Sequence, residues 1–340
     1  MPSVTVVFYV LAVLASVFIT LGGCHLFTNA IEWLGKRLGV SEGAVGSIFA
    51  AIGTTLPETS IPLLAIFFGT SVEQQAVGLG AILGAPFMLS TLVVPILAGL
   101  LLLYARLGKR APQFHLDYRE VRLDLCFFLL AYGVALLCAV TPGRWLHIGA
   151  AVGLFGAYAY YMWIKLSVPG TDEAEGEGGG LEPLFFAKRT KKPGLGLIGA
   201  QAVVGLCGLV MGAEIFVMAA EFLAETLHVA PIILALLIAP LATELPEMSN
   251  SFLWLYRKKD QLAVGNVTGA MVFQGTFPVA IGLIGTDWVL TPSALATMVL
   301  AMVAGGMAVM QLVGGGHWRP WVLLPGALLY IGYTAYLYGV

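Results

Sequence analysis

Long apolar stretches, separated by short charged breaks, recur along almost the whole chain. About 20 apolar residues are enough to span a bilayer. Hydrophobic residues make up 59% of the 340 residues and charged residues 11%, which leaves too little polar surface to cover a soluble globule. The sequence therefore predicts an all-α polytopic membrane protein with about ten transmembrane helices. The expected spans lie near residues 4–34, 42–68, 75–105, 121–140, 145–168, 195–224, 230–256, 261–285, 292–313 and 319–338.

The basic residues are distributed unevenly among the breaks between these stretches. With the N-terminus placed outside, 16 of the 17 Lys and Arg fall in loops that would lie inside, and only Arg144 falls outside. Cytoplasmic loops of membrane proteins carry such an excess. The pattern predicts a multi-pass protein of the cell membrane with both termini outside. It also supports an even number of spans, because a missed helix would break the alternation.

The second half of the chain repeats the first. Leu38-Gly39-Val40 ends 18 residues before Glu58, and Leu227-His228-Val229 ends 18 residues before Glu247, a constant offset of 189. Each copy holds five spans, and an odd number inverts one copy relative to the other, as in many secondary transporters. The predicted organisation is a first five-helix repeat (1–168), a cytoplasmic linker (169–194) and an inverted second repeat (195–340). The linker is acidic and Gly-rich, so no fixed structure is expected for it.

Each copy places a carboxylate directly after a proline inside an apolar stretch. The two segments are GTTLPE, Gly53–Glu58, and ATELPE, Ala242–Glu247. A charge at mid-membrane costs about 2.5–3.5 kcal/mol, so such a residue is a functional-site hypothesis by default. Pro57 and Pro246 would each free the backbone carbonyl four residues earlier, which opens each segment. Carboxylates beside freed carbonyls form the oxygen-rich surroundings that hard cations prefer.

These segments resemble the alpha repeats of the cation/calcium exchanger superfamily, in particular prokaryotic sodium/calcium exchanger-like proteins. The family typically carries GTSLPE on one helix and a GNVIGSN-type motif on the next. GTTLPE and GNVTGA (from Gly265) match closely, and ATELPE and GAILGAP (from Gly80) match more loosely. The likeness covers roughly residues 22–95 and 211–285. It implies an antiporter, not an enzyme, that exchanges Ca²⁺ for Na⁺ or H⁺ by alternating access at a midplane site.

The resemblance also implies a set of cation ligands. Glu58 and Glu247 correspond to the paired carboxylates that hold the divalent ion, and Thr54, Thr55 and Thr243 correspond to hydroxyl and carbonyl ligands beside them. The predicted metal-binding residues are Gly53, Thr54, Thr55, Glu58, Ala242, Thr243, Glu244, Glu247, Asn266 and Gln274. No cofactor is expected, and the transported cations are substrates. The expected partners are the lipid bilayer and inorganic cations, with no nucleic acid and with the oligomeric state left open.

This chain departs from the family pattern on the second helix of each repeat. Ala85 and Ala270 stand where serines are usual, and Leu89 and Gln274 stand where Asn and Asp are usual. In the second repeat, Glu244 takes the place of a serine. Ca²⁺ is held mainly by carboxylates among its six to eight oxygens, so these losses should weaken monovalent sites more than the divalent one. The sodium stoichiometry typical of the family is therefore not implied.

Other interpretations of these residues stay open. Two carboxylates three residues apart on a helix disfavour joint ionisation, so Glu244 and Glu247 leave proton coupling open. Glu244 could instead turn toward water, Asn266 could serve local packing, and Gln274 could make only an interhelical hydrogen bond. Antiport of other cations coupled to protons and a passive cation channel are the alternative functions, although carbon side chains such as Leu89 disfavour a polar pore. No Ser/His pair or His cluster stands at a spacing that suggests a hydrolase.

Overall fold

The computed structural model describes residues 2–55, 59, 66–67, 72–169, 181–190, 192–226, 244–313 and 316–338. Besides the 3-10 helix Phe185–Ala187, this part of the chain contains ten α-helical segments, two of them with a π-helical stretch. They are α1 (Pro2–Leu38), α2 (Glu42–Ala44, the π-helical Val45–Ala50 and residues 51–55), α3 (Val72–Met88, the π-helical Leu89–Val93 and Val94–Arg106), α4 (Tyr118–Val140), α5 (Arg144–Leu166), α6 (Leu195–Thr226), α7 (Leu245–Tyr256), α8 (Asp260–Gly285), α9 (Pro292–Met310) and α10 (Pro320–Leu323 and Gly326–Tyr338). Seven of the described helices are long and apolar enough to cross a membrane, namely α1, α3, α4, α6, α8, α9 and α10.

Helices α1 and α6, which hold corresponding places in the two repeats, pack against each other in opposite directions. A Cβ added to Gly23 would lie 2.6 Å from Leu209 N, and one added to Gly205 would lie 2.5 Å from Phe27 N. As the residue number rises along α1, its contact on α6 therefore falls. Between helices in lipid there is little hydrophobic drive, and small residues that permit close backbone approach supply the packing instead.

Helix α2 makes a similarly close contact with α8. A Cβ on Gly46 would lie 2.8 Å from Leu262 O, and one on Gly269 would lie 2.6 Å from the carbonyl carbon of Ser47. Contacts here advance together along both helices, so α2 runs parallel to α8. Because α7 and α8 form an antiparallel hairpin, α2 is antiparallel to α7, its counterpart in the second repeat. The prediction of an all-α membrane protein built from two inverted five-helix repeats is confirmed.

The loops that were predicted to lie inside meet at one end of the bundle, which we call the basic end. The described residues form five ion pairs, all at this end: Arg110–Asp260, Lys165–Glu120, Lys165–Asp124, Arg257–Glu182 and Lys259–Glu32. Arg144 lies at the opposite end, where its guanidinium donates to carbonyls at the end of α8, including that of Thr286 at 3.0 Å. The alternation of basic loops read from the sequence thus corresponds to the two ends of the structure.

Lys165 is not a loop cation, although the charge count grouped it with the inside loops. Its ammonium lies 2.9 Å from Glu120 and 3.0 Å from Asp124, and its side chain is 1% exposed. Asp124 also accepts hydrogen bonds from Tyr161 at 2.9 Å and Thr268 at 2.7 Å. Charge pairing therefore joins α4 to α5, and the hydrogen bond from Thr268 attaches α8, a helix of the candidate site, to this buried cluster.

Part of the predicted linker is docked on the bundle. Asn29 Nδ2 and Trp33 Nε1 of α1 donate to the carbonyl oxygen of Glu182 at 3.2 and 2.9 Å. Leu184 is fully buried in a small apolar cluster between α1 and α6. The expectation of no fixed structure therefore does not hold for residues 181–187, because α1 offers them buried hydrogen-bond donors. Residues 170–180 and 191 lie outside the described residues.

Candidate cation-binding site

The first turn of α7 carries two buried carboxylates. Glu244 is the N-cap residue, Pro246 stands in the first turn, and Glu247 follows it. A proline is tolerated there because its missing N–H would have no intrahelical partner. Both Glu244 and Glu247 are 0% exposed, and none of their four carboxylate oxygens has a hydrogen-bond partner among the described residues. Ala242 and Thr243, also predicted as ligands, lie outside the described residues.

Helix α8 brings two amide side chains to α7. Asn266 Nδ2 donates to Glu247 O at 3.1 Å and to Ser251 Oγ at 3.0 Å, which fixes the side chain and leaves its Oδ1 unpartnered. Gln274 lies two turns further along α8, is 3% exposed and has an unpartnered Oε1. Asn266 therefore takes part in helix packing and still presents a free oxygen, so the two interpretations of this residue are compatible.

Helix α2 contributes the first repeat's residues. Thr54 and Thr55 are fully buried, and their hydroxyls donate to backbone carbonyls one turn back, at 3.1 Å to Ala50 O and 2.7 Å to Ala51 O. Thr54 is a neighbour of the Glu247 carboxylate. Because the Thr54 hydroxyl donates its proton to a backbone carbonyl of α2, the Thr54 oxygen keeps lone pairs free beside the Glu247 carboxylate. The two repeats thus meet at Glu247.

Gly53 and Glu58 differ in how far the structure describes them. Gly53 packs against α1, where an added Cβ would lie 2.7 Å from the Phe27 ring. Its predicted role as a carbonyl ligand depends on Pro57, which lies outside the described residues, as does Glu58. The pairing of Glu58 with Glu247 stays a prediction.

A cavity of about 260 Å³ adjoins this region. Its oxygen-bearing lining comprises Thr59, Glu244 and Gln274, and α3 contributes only small or apolar side chains such as Ala85 and Met88. Leu89 and Ala270, which replace usual ligands, are both 0% exposed in the core. The α3 side of the candidate site therefore presents carbon where the family pattern has oxygen.

Within the part of the chain that the structure describes, no Lys, Arg or His forms an ion pair with Glu244 or Glu247. An uncompensated buried charge costs several kcal/mol, by order of magnitude, so these groups need a proton or a mobile cation. No group of three or more His, Cys, Asp and Glu with metal-binding geometry occurs among the described residues. A cation bound here would use the carboxylates together with amide, hydroxyl and backbone oxygens.

One residue in this region was missed from the sequence. Asn250 is 0% exposed, and neither its Oδ1 nor its Nδ2 has a hydrogen-bond partner among the residues that the structure describes. It stands one turn after Glu247 on α7, at the i+3 spacing that places two side chains on the same side of a helix. A search for polar residues at helical spacing from Glu247 could have found it.

Comparison with known proteins gives the family. The model of the sodium/calcium exchanger protein family matches residues 8–167 and 198–339. Inner membrane protein YrbG of Escherichia coli (strain K12) is 24% identical over 248 residues, which cover 72% of this chain and 70% of that protein. The uncharacterized membrane protein MJ0091 of Methanocaldococcus jannaschii is 22% identical over 257 residues, covering 74% and 73%. The putative antiporter CaxA of Alkalimonas amylolytica is 25% identical over 137 residues, covering 40% and 43%.

The fold also matches a solved structure. The sodium-calcium exchanger NCX_Mj, soaked with zero Na⁺ and Ca²⁺, superposes with a TM-score of 0.75 at 18% identity, over 97% of this chain and 99% of that one. The family match extends over both repeats and most of the chain, and it agrees with the inverted-repeat fold. This multi-pass membrane transporter belongs to the sodium/calcium exchanger protein family and is a cation antiporter in the broad sense of that family.

Proposed function

We propose that this protein exchanges Ca²⁺ for Na⁺ or H⁺ by alternating access, at a site formed where α2 and α7 of the two repeats meet. Glu58 and Glu247 would hold the divalent ion, with Thr54, Thr55, Thr243 and the carbonyls before the two prolines beside them. The observation that carries the proposal is the fully buried Glu247 carboxylate, which has the Thr54 hydroxyl beside it but forms no ion pair and accepts no hydrogen bond of normal geometry among the described residues. A hard divalent cation satisfies both needs at once.

The side chains that line the rest of the site bear on the number of Na⁺ ions that could be exchanged for each Ca²⁺. Carbon side chains at Ala85, Leu89 and Ala270 leave fewer oxygens for separate Na⁺ ions than the family pattern provides. Gln274 supplies a neutral oxygen where the family has a carboxylate, and Glu244 adds an acid on α7. We therefore expect fewer Na⁺ ions per Ca²⁺ than the family pattern implies, and H⁺ is the competing counter-ion.

A contact at the basic end favours exchange over passive conduction. There Glu32 of α1 accepts hydrogen bonds from Lys259 and, at 2.8 Å, from Trp254 of α7. This contact closes the seam between α1 and the α7–α8 hairpin on the side opposite the cavity. A cavity beside Glu244 and a closed contact at the opposite end of α7 fit alternating access, in which the site is reached from one side at a time. We assign the basic end to the cytoplasm on the excess of Lys and Arg there.

The test is ⁴⁵Ca²⁺ flux in proteoliposomes of the purified protein, with Na⁺, K⁺ and pH gradients imposed one at a time. Uptake should require a counter-ion gradient, and the effective gradient identifies the counter-ion. Glu247→Gln should abolish uptake, whereas the matched control Asp287→Asn, an exposed loop acid, should leave it unchanged. A Ca²⁺ current that needs no counter-ion would identify a channel, and absence of any cation flux in the wild type would refute the proposal.

A further inference from the structure

Asn250 is exceptional among the buried amides of the described residues. Asn29 and Gln201, which are equally buried, bond to each other at 2.8 Å and to backbone groups of the linker and α1. Asn250, by contrast, has no partner for its oxygen or its nitrogen. Buried polar groups are nearly always paired, and an unpaired one carries its full desolvation cost. Such a cost in a membrane core suggests a ligand that satisfies the group in another state.

The position of Asn250 on α7 indicates which side chains lie near it. Side chains of a helix lean toward its N-terminus, so the Asn250 amide leans toward the turn that carries Glu247. Helix α8 crosses α7 at these same turns, since Asn266 bonds to both Glu247 O and Ser251 Oγ. Asn266 Oδ1 is also unpartnered. Glu247 and Asn250 therefore lie one turn apart on α7, and Asn266 of α8 packs against the same turns. All three side chains are buried and have unpartnered oxygens among the described residues.

This group is separate from the cavity. The cavity is lined by Glu244 and Gln274, and its described lining does not include Asn250. Four residues beyond Asn250, Trp254 donates to Glu32, which also pairs with Lys259. The oxygens of Asn250 and Asn266 thus lie between the cavity and the closed seam at the basic end.

We propose that Asn250, Asn266 and Glu247 form a second binding position for the transported cation, on the basic-end side of the site. We call this position the second station. The inference rests on the proposed function, because it needs a cation to reach Glu247. Amide oxygens are neutral ligands that suit Ca²⁺ beside one carboxylate. Once Asn250 Oδ1 faces the ion, its Nδ2 is free to donate to the carboxylate or to water. The station would be used when the seam between α1 and α7 opens.

The test replaces the amide by an apolar group of similar size, Asn250→Leu. Ca²⁺ half-saturation is measured separately at the two faces, in sealed vesicles of each orientation. We expect it to rise about tenfold at the basic face, the effect of losing one ligand to a charged group, and less than threefold at the other face. In detergent, Asn250→Leu should unfold at the same temperature as the wild type or higher without Ca²⁺, because an unpaired buried amide is removed. Its stabilisation by added Ca²⁺ should be smaller.

Two further variants keep the test decisive. Asn250→Asp keeps an oxygen at the same place and should retain Ca²⁺ half-saturation at the basic face, even if Asn250→Leu fails to fold. Thr334→Val, a buried polar-to-apolar change in α10 whose hydroxyl bonds only its own helix, should change neither readout. Unchanged half-saturation in Asn250→Leu, or an equal loss at both faces, overturns the station while leaving the exchanger intact. A wild type without Ca²⁺ exchange overturns the proposed function instead.

Discussion

The contact between α2 and α8 offers a pair of substitutions that differ only in packing. A Cβ on Gly269 would lie 2.6 Å from the Ser47 carbonyl carbon and closer still to two other backbone atoms of Ser47. A Cβ on Gly265, one turn earlier, would find its nearest neighbours at 3.4 Å, which is ordinary van der Waals contact. Gly269→Ala must therefore push α2 away from α8, since the obstacle is backbone and cannot rotate aside. Gly265→Ala needs no such movement.

The expected magnitude follows from two terms. Replacing Gly by Ala in a helix interior gains up to about 1 kcal/mol in both variants, so this gain cancels when the two are compared. Overpacking costs about 1–3 kcal/mol and applies to Gly269→Ala alone. The free energy of unfolding of Gly269→Ala should therefore lie about 1–3 kcal/mol below that of Gly265→Ala.

Two measurements test this prediction, one of unfolding free energy and one of Ca²⁺ binding. Unfolding in one detergent, by denaturant titration, gives the difference between the two variants directly. Because α2 carries Thr54 beside Glu247, displacement of α2 should also weaken Ca²⁺ binding in Gly269→Ala and leave it nearly unchanged in Gly265→Ala. If the two variants unfold within about 0.5 kcal/mol of each other, the additivity error of such comparisons, the close contact described above is refuted.

Three further predictions concern charge and selectivity. Lys165→Met leaves two buried carboxylates without their cation and should destabilise the protein by about 3–5 kcal/mol in the same unfolding assay; a loss under 1 kcal/mol would contradict the buried cluster. Lys259→Met removes the hydrogen bond to the charged Glu32 and should lower the free energy of unfolding by about 1.5–3 kcal/mol. Lys258→Met removes the same charge one residue away without breaking any of the five ion pairs of the described residues, so it should cost little. Equal effects of the two substitutions would argue against the contact between Lys259 and Glu32. Leu89→Asn combined with Gln274→Asp restores oxygens and should increase the sodium dependence of Ca²⁺ flux, and an unchanged sodium response would count against the correspondence of α3 with α8.

The sequence alone predicted those features that depend only on residues close together in the chain. Apolar length predicts spans one at a time, and the sidedness of Lys and Arg needs only their positions between spans. The isolated Arg144 is the clearest instance, because its loop indeed lies at the end opposite the five ion pairs. The repeat was visible because nearly the same offset relates its two copies, 189 residues between Glu58 and Glu247 and 185 between Gly80 and Gly265.

The features that the sequence did not reveal depend on partners distant in the chain. Leu184 belongs to a stretch with linker composition, and it is buried because α1 supplies donors for the neighbouring backbone. Lys165 looks like a loop cation until α4 brings two carboxylates to it. The only signal of Asn250 in the sequence was its spacing of three residues from Glu247. That its amide is unpartnered among the described residues depends on what its neighbours fail to offer, and only the assembled helices decide that. These are effects of tertiary packing rather than of local pattern.

In the proposed exchanger, Glu58 of the first repeat and the buried Glu247 of the second hold one exchanged cation between them. The most direct test of this arrangement is counter-ion-driven ⁴⁵Ca²⁺ uptake in proteoliposomes by Glu58→Gln and Glu247→Gln beside the wild type, with equal protein inserted in each. We expect uptake in the wild type and none in either variant. Uptake at the wild-type rate in either variant would contradict it.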